Sequence, residues 1–271
     1  STLMRVLSGL VQVAEGSAQV LGQAPFGSPE VRQRIAFVPA TECFYENLSG
    51  RRNLEIAFLS HGYDRENARE RAARALDLVG MTDDADRRHG TWSRGMRQRL
   101  KLGFALVSDV DVVLLDEPFM GVDPPSRKFL RNVIHDLGTA GRTILVSSHV
   151  LYEVEMLTDR VGILAHGRLL GFGRVSELLA DLRDRHPHRI RIASQSSREL
   201  AVALMKRGHV SAIDVDDSGV VEFVTTKPQV AYRELAAVVK ETGVVIRCVE
   251  TLDDGLEAVF RHITAAGARR L

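Results

Sequence analysis

The apolar stretch Val112-Val-Leu-Leu115 runs directly into two adjacent carboxylates, Asp116 and Glu117, followed by Pro118. Carboxylates at the C-terminal end of a buried strand lie where α/β folds bind their ligands. One can hold Mg²⁺, directly or through water, and the next can act as general base on an attacking water. The same residues also fit a buried strand that ends in a solvated acidic turn. Upstream, Thr91-Trp-Ser-Arg-Gly-Met-Arg-Gln-Arg-Leu100 places Ser93 and Gly95 at the head of a helix. A hydroxyl, free backbone N–H groups and the positive end of the helix dipole suit an anion. An ordinary N-cap would use the same Ser93. Gly121-Val-Asp-Pro124 carries Asp123 in a turn, and Val146-Ser-Ser-His149 places a His just after a strand; each has a purely structural reading as well.

The elements that must position these groups follow from periodicity. Leu3, Val6, Leu7 and Leu10 recur at helical intervals, Ser17–Leu21 reads as a short strand, and Ile35–Val38 reads as a strand closed by Pro39. From Asn47 to about Leu106 the pattern is helical. It is clearest over Glu66–Gly80, where Ala68, Ala72, Ala75, Leu76 and Val79 share one face. Arg97–Val107 is a further helix. The continuous apolar run before Asp116 then predicts a strand buried on both faces of a parallel sheet. Ser126–Leu137 reads as a helix, Thr143–Ser147 as a strand and His149–Leu157 as a helix. Val161–Leu164 and Arg168–Gly171 flank a hairpin turn at His166-Gly167. A polar, His-rich stretch at Arg183–Arg189 marks a domain boundary. Beyond it come strand 189–193, helix 197–208, strands 211–215 and 220–225, helix 228–242, strand 244–250 and a closing helix, Asp253–Thr264. That βαββαβ order is the split βαβ of ferredoxin-like domains.

Composition narrows the function classes. The chain has 271 residues, 45% of them hydrophobic and 26% charged, which suits one large or two modest globular domains. Its formal net charge of +1 argues against a general nucleic-acid binder. No apolar run approaches the roughly 18–20 residues that span a bilayer. Cys43 and Cys248 cannot make a disulfide framework, so a reducing cytosolic setting is expected.

In their order and spacing, the four segments together resemble the ATP-binding cassette ATPases of ABC transporters. Ser93-Arg94-Gly95-Met96 resembles the signature motif, Asp116-Glu117 the Walker B pair, Gly121–Asp123 the D-loop and His149 the switch His. Ser1-Thr2, at the head of a helix, resembles the end of the phosphate-binding loop G-x-x-x-x-G-K-[ST]. The resemblance implies an α/β fold with a P-loop NTPase-like parallel sheet and a helical signature subdomain at about 44–106. This ATPase domain spans residues 1–182. A small α+β, ferredoxin-like accessory domain follows at 188–271.

The resemblance also implies ATP and Mg²⁺ as cofactors. Glu117 and His149 become the catalytic residues. Ser1, Thr2, Ser93, Gly95, Met96, Asp116 and Asp123 become the nucleotide contacts, and Ser1 and Asp116 the metal ligands. The implied partners are a second ATPase subunit, most simply in a homodimer, and a separate membrane permease of exporter type. The implied location is the cytoplasmic, inner face of the cell membrane, held there through the permease, with no nucleic acid bound.

Three departures stand out. The loop glycines and Lys are not in this sequence, so a truncation inside the motif and weak ATP binding by the 271-residue chain are expected. Ala40 stands where the family usually has Gln after Ile35–Val38, with Glu42 the nearest polar residue. Arg94 and Trp92 replace the usual signature Gly and the Leu or Tyr before Ser93. Two other readings place the chain as a degenerate regulatory cassette or as a non-transport ATPase acting on ribosomes or DNA. The second lacks the paired cassettes or long coiled coils those proteins carry.

Overall fold

The computed structural model describes residues 1–178, 188–216, 218–252 and 260. Contacts divide the chain into two units, Ser1–Leu157 and Thr158–Leu271.

The first unit is built around a three-stranded parallel sheet: β1 (Ile35–Val38), β2 (Val112–Asp116) and β3 (Thr143–Ser147), in that order across the sheet. Every residue of β2 is buried, as its unbroken apolar run requires. Its side chains alternate between two cores. Val113 and Leu115 point into a cluster with Leu102, Phe119, Leu130 and Ile134, and Val112 and Leu114 into one with Met4, Val31 and Ile35. Burying each such side chain contributes about 1.5–3 kcal/mol. The first cluster draws on α5 (Arg94–Val107) and α6 (Pro124–Thr139), the second on α1 (Thr2–Leu7) and α2 (Pro29–Arg32). A third cluster holds the helical region together. There α3 (Gly50–His61) and α4 (Arg65–Leu78) pack against α5 through Leu54, Phe58, Ala72, Leu76, Trp92 and Leu100.

Capping chemistry fixes where these helices start. Ser49, Asp64, Ser93 and Asp123 are the N-caps of α3, α4, α5 and α6, and each side chain accepts a backbone N–H three residues on. Gly62 ends α3 in the left-handed conformation at φ 108°. One expected strand does not form. Residues 17–21 make only an isolated bridge between Val20 and Gln23, across a turn in which Leu21 and Gly22 both have positive φ. Without a partner strand the segment has no ladder to join. A short helix, α7 (Leu151–Glu155), follows β3 and falls inside the expected 149–157.

The second unit opens with a hairpin of β4 (Arg160–Ala165) and β5 (Arg168–Arg174). Its two-residue loop, His166-Gly167, has positive φ at both positions, as a type I′ turn demands. This hairpin was expected at the end of the first domain. The expected 182/188 boundary adjoins residues 179–187, which lie outside the described residues, as does the closing helix 253–264 apart from Phe260. The rest is β6 (His188–Ser194), α8 (Ser197–Met205), β7 (Ser211–Val215), β8 (Val220–Thr225), α9 (Pro228–Thr242) and β9 (Ile246–Thr251). The sheet order is β7-β8-β6-β9 with every neighbouring pair antiparallel. Strand β8 lies between β6 and β7, which is the split βαβ read from the sequence. Ile190, Ile192, Val221 and Phe223 meet Leu200, Leu204, Leu235 and Val238 in its core.

Candidate functional site

Strand β2 delivers Asp116 to the edge of the core with 4% of its surface exposed. Burial alone pushes its carboxyl up. Hydrogen bonds from the Ser147 and Ser1 side chains favour the charged form, and the net shift is downward. Ser147 Oγ donates to Asp116 Oδ1 at 2.6 Å, and the Ser1 amino nitrogen lies 3.7 Å from the same oxygen. The chain then turns sharply. Glu117 adopts φ 50°, rare for a side chain of its size. Its N–H is held by the carbonyl of Ser147 at 3.1 Å and by Ser147 Oγ at 3.2 Å. That turn aims the Glu117 carboxylate at His149, whose Nδ1 lies 2.8 Å from Oε2. Among the described residues Nε2 of His149 has no partner, and the ring is largely exposed. Arg127 and Ser148 both bind Glu153, which ties the turn carrying His149 to helix α6.

A second group forms at the head of α5. Ser93 Oγ accepts the Met96 N–H at 3.3 Å, so the hydroxyl caps its own helix. Gly95 is buried against the other motif: a Cβ there would come 2.9 Å from Asp123 Oδ1 and 3.1 Å from Ser126 Oγ. Asp123 caps α6 through the Ser126 N–H at 3.1 Å, and that bond lowers its carboxyl pKa. The Arg94 side chain covers Gly121, where a Cβ would sit 3.0 Å from Arg94 Cδ.

The candidate residues therefore fall into two groups. Ser1, Asp116, Glu117 and His149 are joined, with Thr2 beginning the helix behind Ser1. Ser93, Gly95, Met96 and Asp123 are joined separately. No hydrogen bond or ion pair among the described residues links one group to the other. Sequence reasoning missed Ser147, which holds the Asp116 carboxylate and the backbone N–H of Glu117. It lies in the same Val-Ser-Ser-His string as His149, and its position at the end of a strand beside β2 was the available signal. The reading also missed Lys101 and Arg97, whose place on the signature helix looks unremarkable in sequence.

The donor set fits Mg²⁺: a charged carboxylate on Asp116 and a hydroxyl on Ser1 are hard oxygen ligands. Magnesium takes few protein ligands and fills the remainder with water and phosphate oxygens.

Residues 1–120 match the ABC transporter family. The chain is 32% identical to a daunorubicin/doxorubicin resistance ATP-binding protein of Streptomyces peucetius over 266 residues, 97% of this chain and 80% of that protein. The chain belongs to the ABC transporter ATP-binding family. It is also 36% identical to an uncharacterised ABC transporter ATP-binding protein of a Nostoc strain over 188 residues. That match covers 69% of this chain and spans 56% of the cyanobacterial protein. Among solved structures it is similar to a dimeric ATP-binding cassette bound to ADP and Pi. There the TM-score is 0.58 at 19% identity, covering 64% of this chain and 79% of that one, a likeness of fold. As in this ABC family member's sequence, no helix among the described residues is long and apolar enough to cross a membrane.

Proposed function

We propose that this chain is the ATP-hydrolysing subunit of an exporter-type ABC transporter and powers a separate membrane permease from the inner face of the membrane. The observation that carries the reading is the Glu117–His149 pair, 2.8 Å apart beside the buried Asp116. A carboxylate held by a ring nitrogen, next to a metal-competent carboxylate, is the arrangement that activates a water toward a phosphate.

In this reading Glu117 orients the attacking water and accepts its proton. His149 fixes the Glu117 carboxylate through Nδ1–H, and Nε2 donates to the terminal phosphate when the ring carries a proton on both nitrogens. Asp116 and Ser1 would hold Mg²⁺, which would neutralise charge on the phosphate oxygens. Ser147 keeps Asp116 and the Glu117 turn in register. The Ser93–Gly95 group contacts the nucleotide of a second copy, with the dipole of α5 directed at the phosphates. Asp123, packed against Gly95, links that contact to α6 and so couples the two sites. Closure around ATP and reopening after hydrolysis drive the permease. Its contact lies on the helical region 44–106, where a cleft of about 270 Å³ opens between Phe44, Asn53, Ala57 and Phe104 and the β1 end at Phe37 and Pro39.

Steady-state ATPase of the natural protein tests the reading: His149→Ala should lower turnover by about a hundredfold or more with ATP still bound, and turnover within about twofold of the parent would contradict it.

A further inference from the structure

Lys101 is a buried cation that the proposed mechanism does not use. It lies on α5, the helix that begins at Ser93, and only 5% of its surface is exposed. Among the described residues no carboxylate forms an ion pair with it, though Glu42 lies within its electrostatic reach. Its Nζ donates instead to two backbone carbonyls, Pro39 O at 3.3 Å and Thr41 O at 2.8 Å. Those carbonyls flank Ala40 in the segment that leaves β1. Val38 pairs with Leu115, so this segment departs from the sheet level with Asp116. One turn earlier on the same face of α5, Arg97 reaches the next part of the segment. It contacts Glu42 Oε2 at 3.4 Å and Glu46 Oε1 at 3.2 Å. Arg97 also donates to the carbonyls of Gly90 at 2.8 Å and Trp92 at 3.2 Å, immediately before Ser93. Glu42 is in turn committed to the segment, accepting the N–H groups of Cys43 at 3.0 Å and Phe44 at 3.3 Å.

Burying an ammonium is costly unless its donors are satisfied. A lysine spent on two main-chain carbonyls, at a position where an aliphatic residue would pack, marks a constraint on backbone position. We propose that Lys101, supported by Arg97 and Glu42, is a positioning residue. It clamps the 39–46 segment to the signature helix, so that the Ser93–Gly95 group moves as one body with the strand edge beside Asp116. Ala40 offers no side chain for that link, and Lys101 makes it from the opposite side. This inference rests on the reading that Ser93 and Gly95 act on the nucleotide of a second copy.

The test compares Lys101→Met and Lys101→Arg with the parent by two readouts. Amide hydrogen exchange needs no nucleotide and reads the clamp itself. In Lys101→Met, amides of Cys43, Phe44, Tyr45, Met96 and Arg97 should exchange at least about tenfold faster, while those of Val113–Leu115 keep their protection. Steady-state ATPase of the natural protein reads the consequence. There kcat falls about tenfold or more with KM for ATP changed less than about threefold, and Lys101→Arg restores most of it. Unchanged exchange over 41–46 and 93–97 would overturn the clamp, as would acceleration that extends equally into β2. An altered exchange pattern with unchanged kcat would overturn the positioning role. An inactive parent would instead count against the proposed function and leave the exchange result to decide the clamp.

Discussion

Glu117 sits at φ 50°, a conformation that costs a non-glycine residue about 1–3 kcal/mol. What over-determines it is Ser147, which holds the Glu117 N–H through both carbonyl and hydroxyl and donates to Asp116 as well. Ser147→Ala keeps the carbonyl contact and removes the other two. The folded state should lose about 1.5–3 kcal/mol, the worth of a hydrogen bond to a charged group, measured by urea unfolding of the chain. A midpoint equal to the parent's would contradict the role given to this hydroxyl. The residues of evident chemical type, Asp116, Glu117 and His149, were legible in the sequence because acids and imidazoles at strand ends are conspicuous. Ser147 and Lys101 were not. A serine closing a strand and a lysine within a helix are common, and only the partners brought to them across the fold give them meaning.

The elements were legible where local signals agree with burial. The caps Ser49, Asp64, Ser93 and Asp123 start helices as their side-chain chemistry predicts, and the fully apolar β2 lies between two parallel neighbours. Residues 17–21 failed because a strand needs a partner that the local pattern cannot supply. One contact between elements was invisible in sequence and is testable. The ring of Trp92 occupies the space above Gly50, where a Cβ would lie 2.1 Å from Trp92 Cη2. Gly50→Ala must therefore displace the indole, pushing it from the α3–α5 core at a cost of about 1–3 kcal/mol. Trp92 is the chain's single tryptophan, so its emission reports the change directly. A shift of the emission maximum to longer wavelength together with a lower unfolding midpoint is expected. Unchanged emission would contradict the packing of the signature helix against α3.

At the scale of the whole molecule, alternation of strands and helices predicted both the parallel sheet and the βαββαβ unit. The hairpin Arg160–Arg174 reads the same in sequence whichever unit it packs with, so its grouping depended on long-range contacts. The stability of the first unit also carries a pH signature. Burial lowers the pKa of His61, whose Nε2 binds the Gln33 carbonyl at 2.9 Å, and of His89, which is fully buried near Glu42, Glu46, Arg97 and Lys101. Both are neutral in the fold and take up protons more readily when unfolded. Their contribution is complete above the unfolded His value of about 6.5 and is lost as pH falls below it. Asp116 acts in the same direction only at lower pH: its stabilisation holds above the unfolded carboxylate value and is lost as pH falls through the lowered folded one. Thermal midpoints should therefore decline as pH falls below about 6.5, and His89→Phe should flatten the decline; an equally steep profile in the variant would contradict it. In the proposed mechanism Glu117, oriented by His149, is the base for ATP hydrolysis. Glu117→Gln in the natural protein tests this, with ATP turnover and ATP-dependent dimerisation measured side by side. Turnover should fall by about a hundredfold or more, with ATP still bound and the dimer accumulating. Turnover within about twofold of the parent would contradict it.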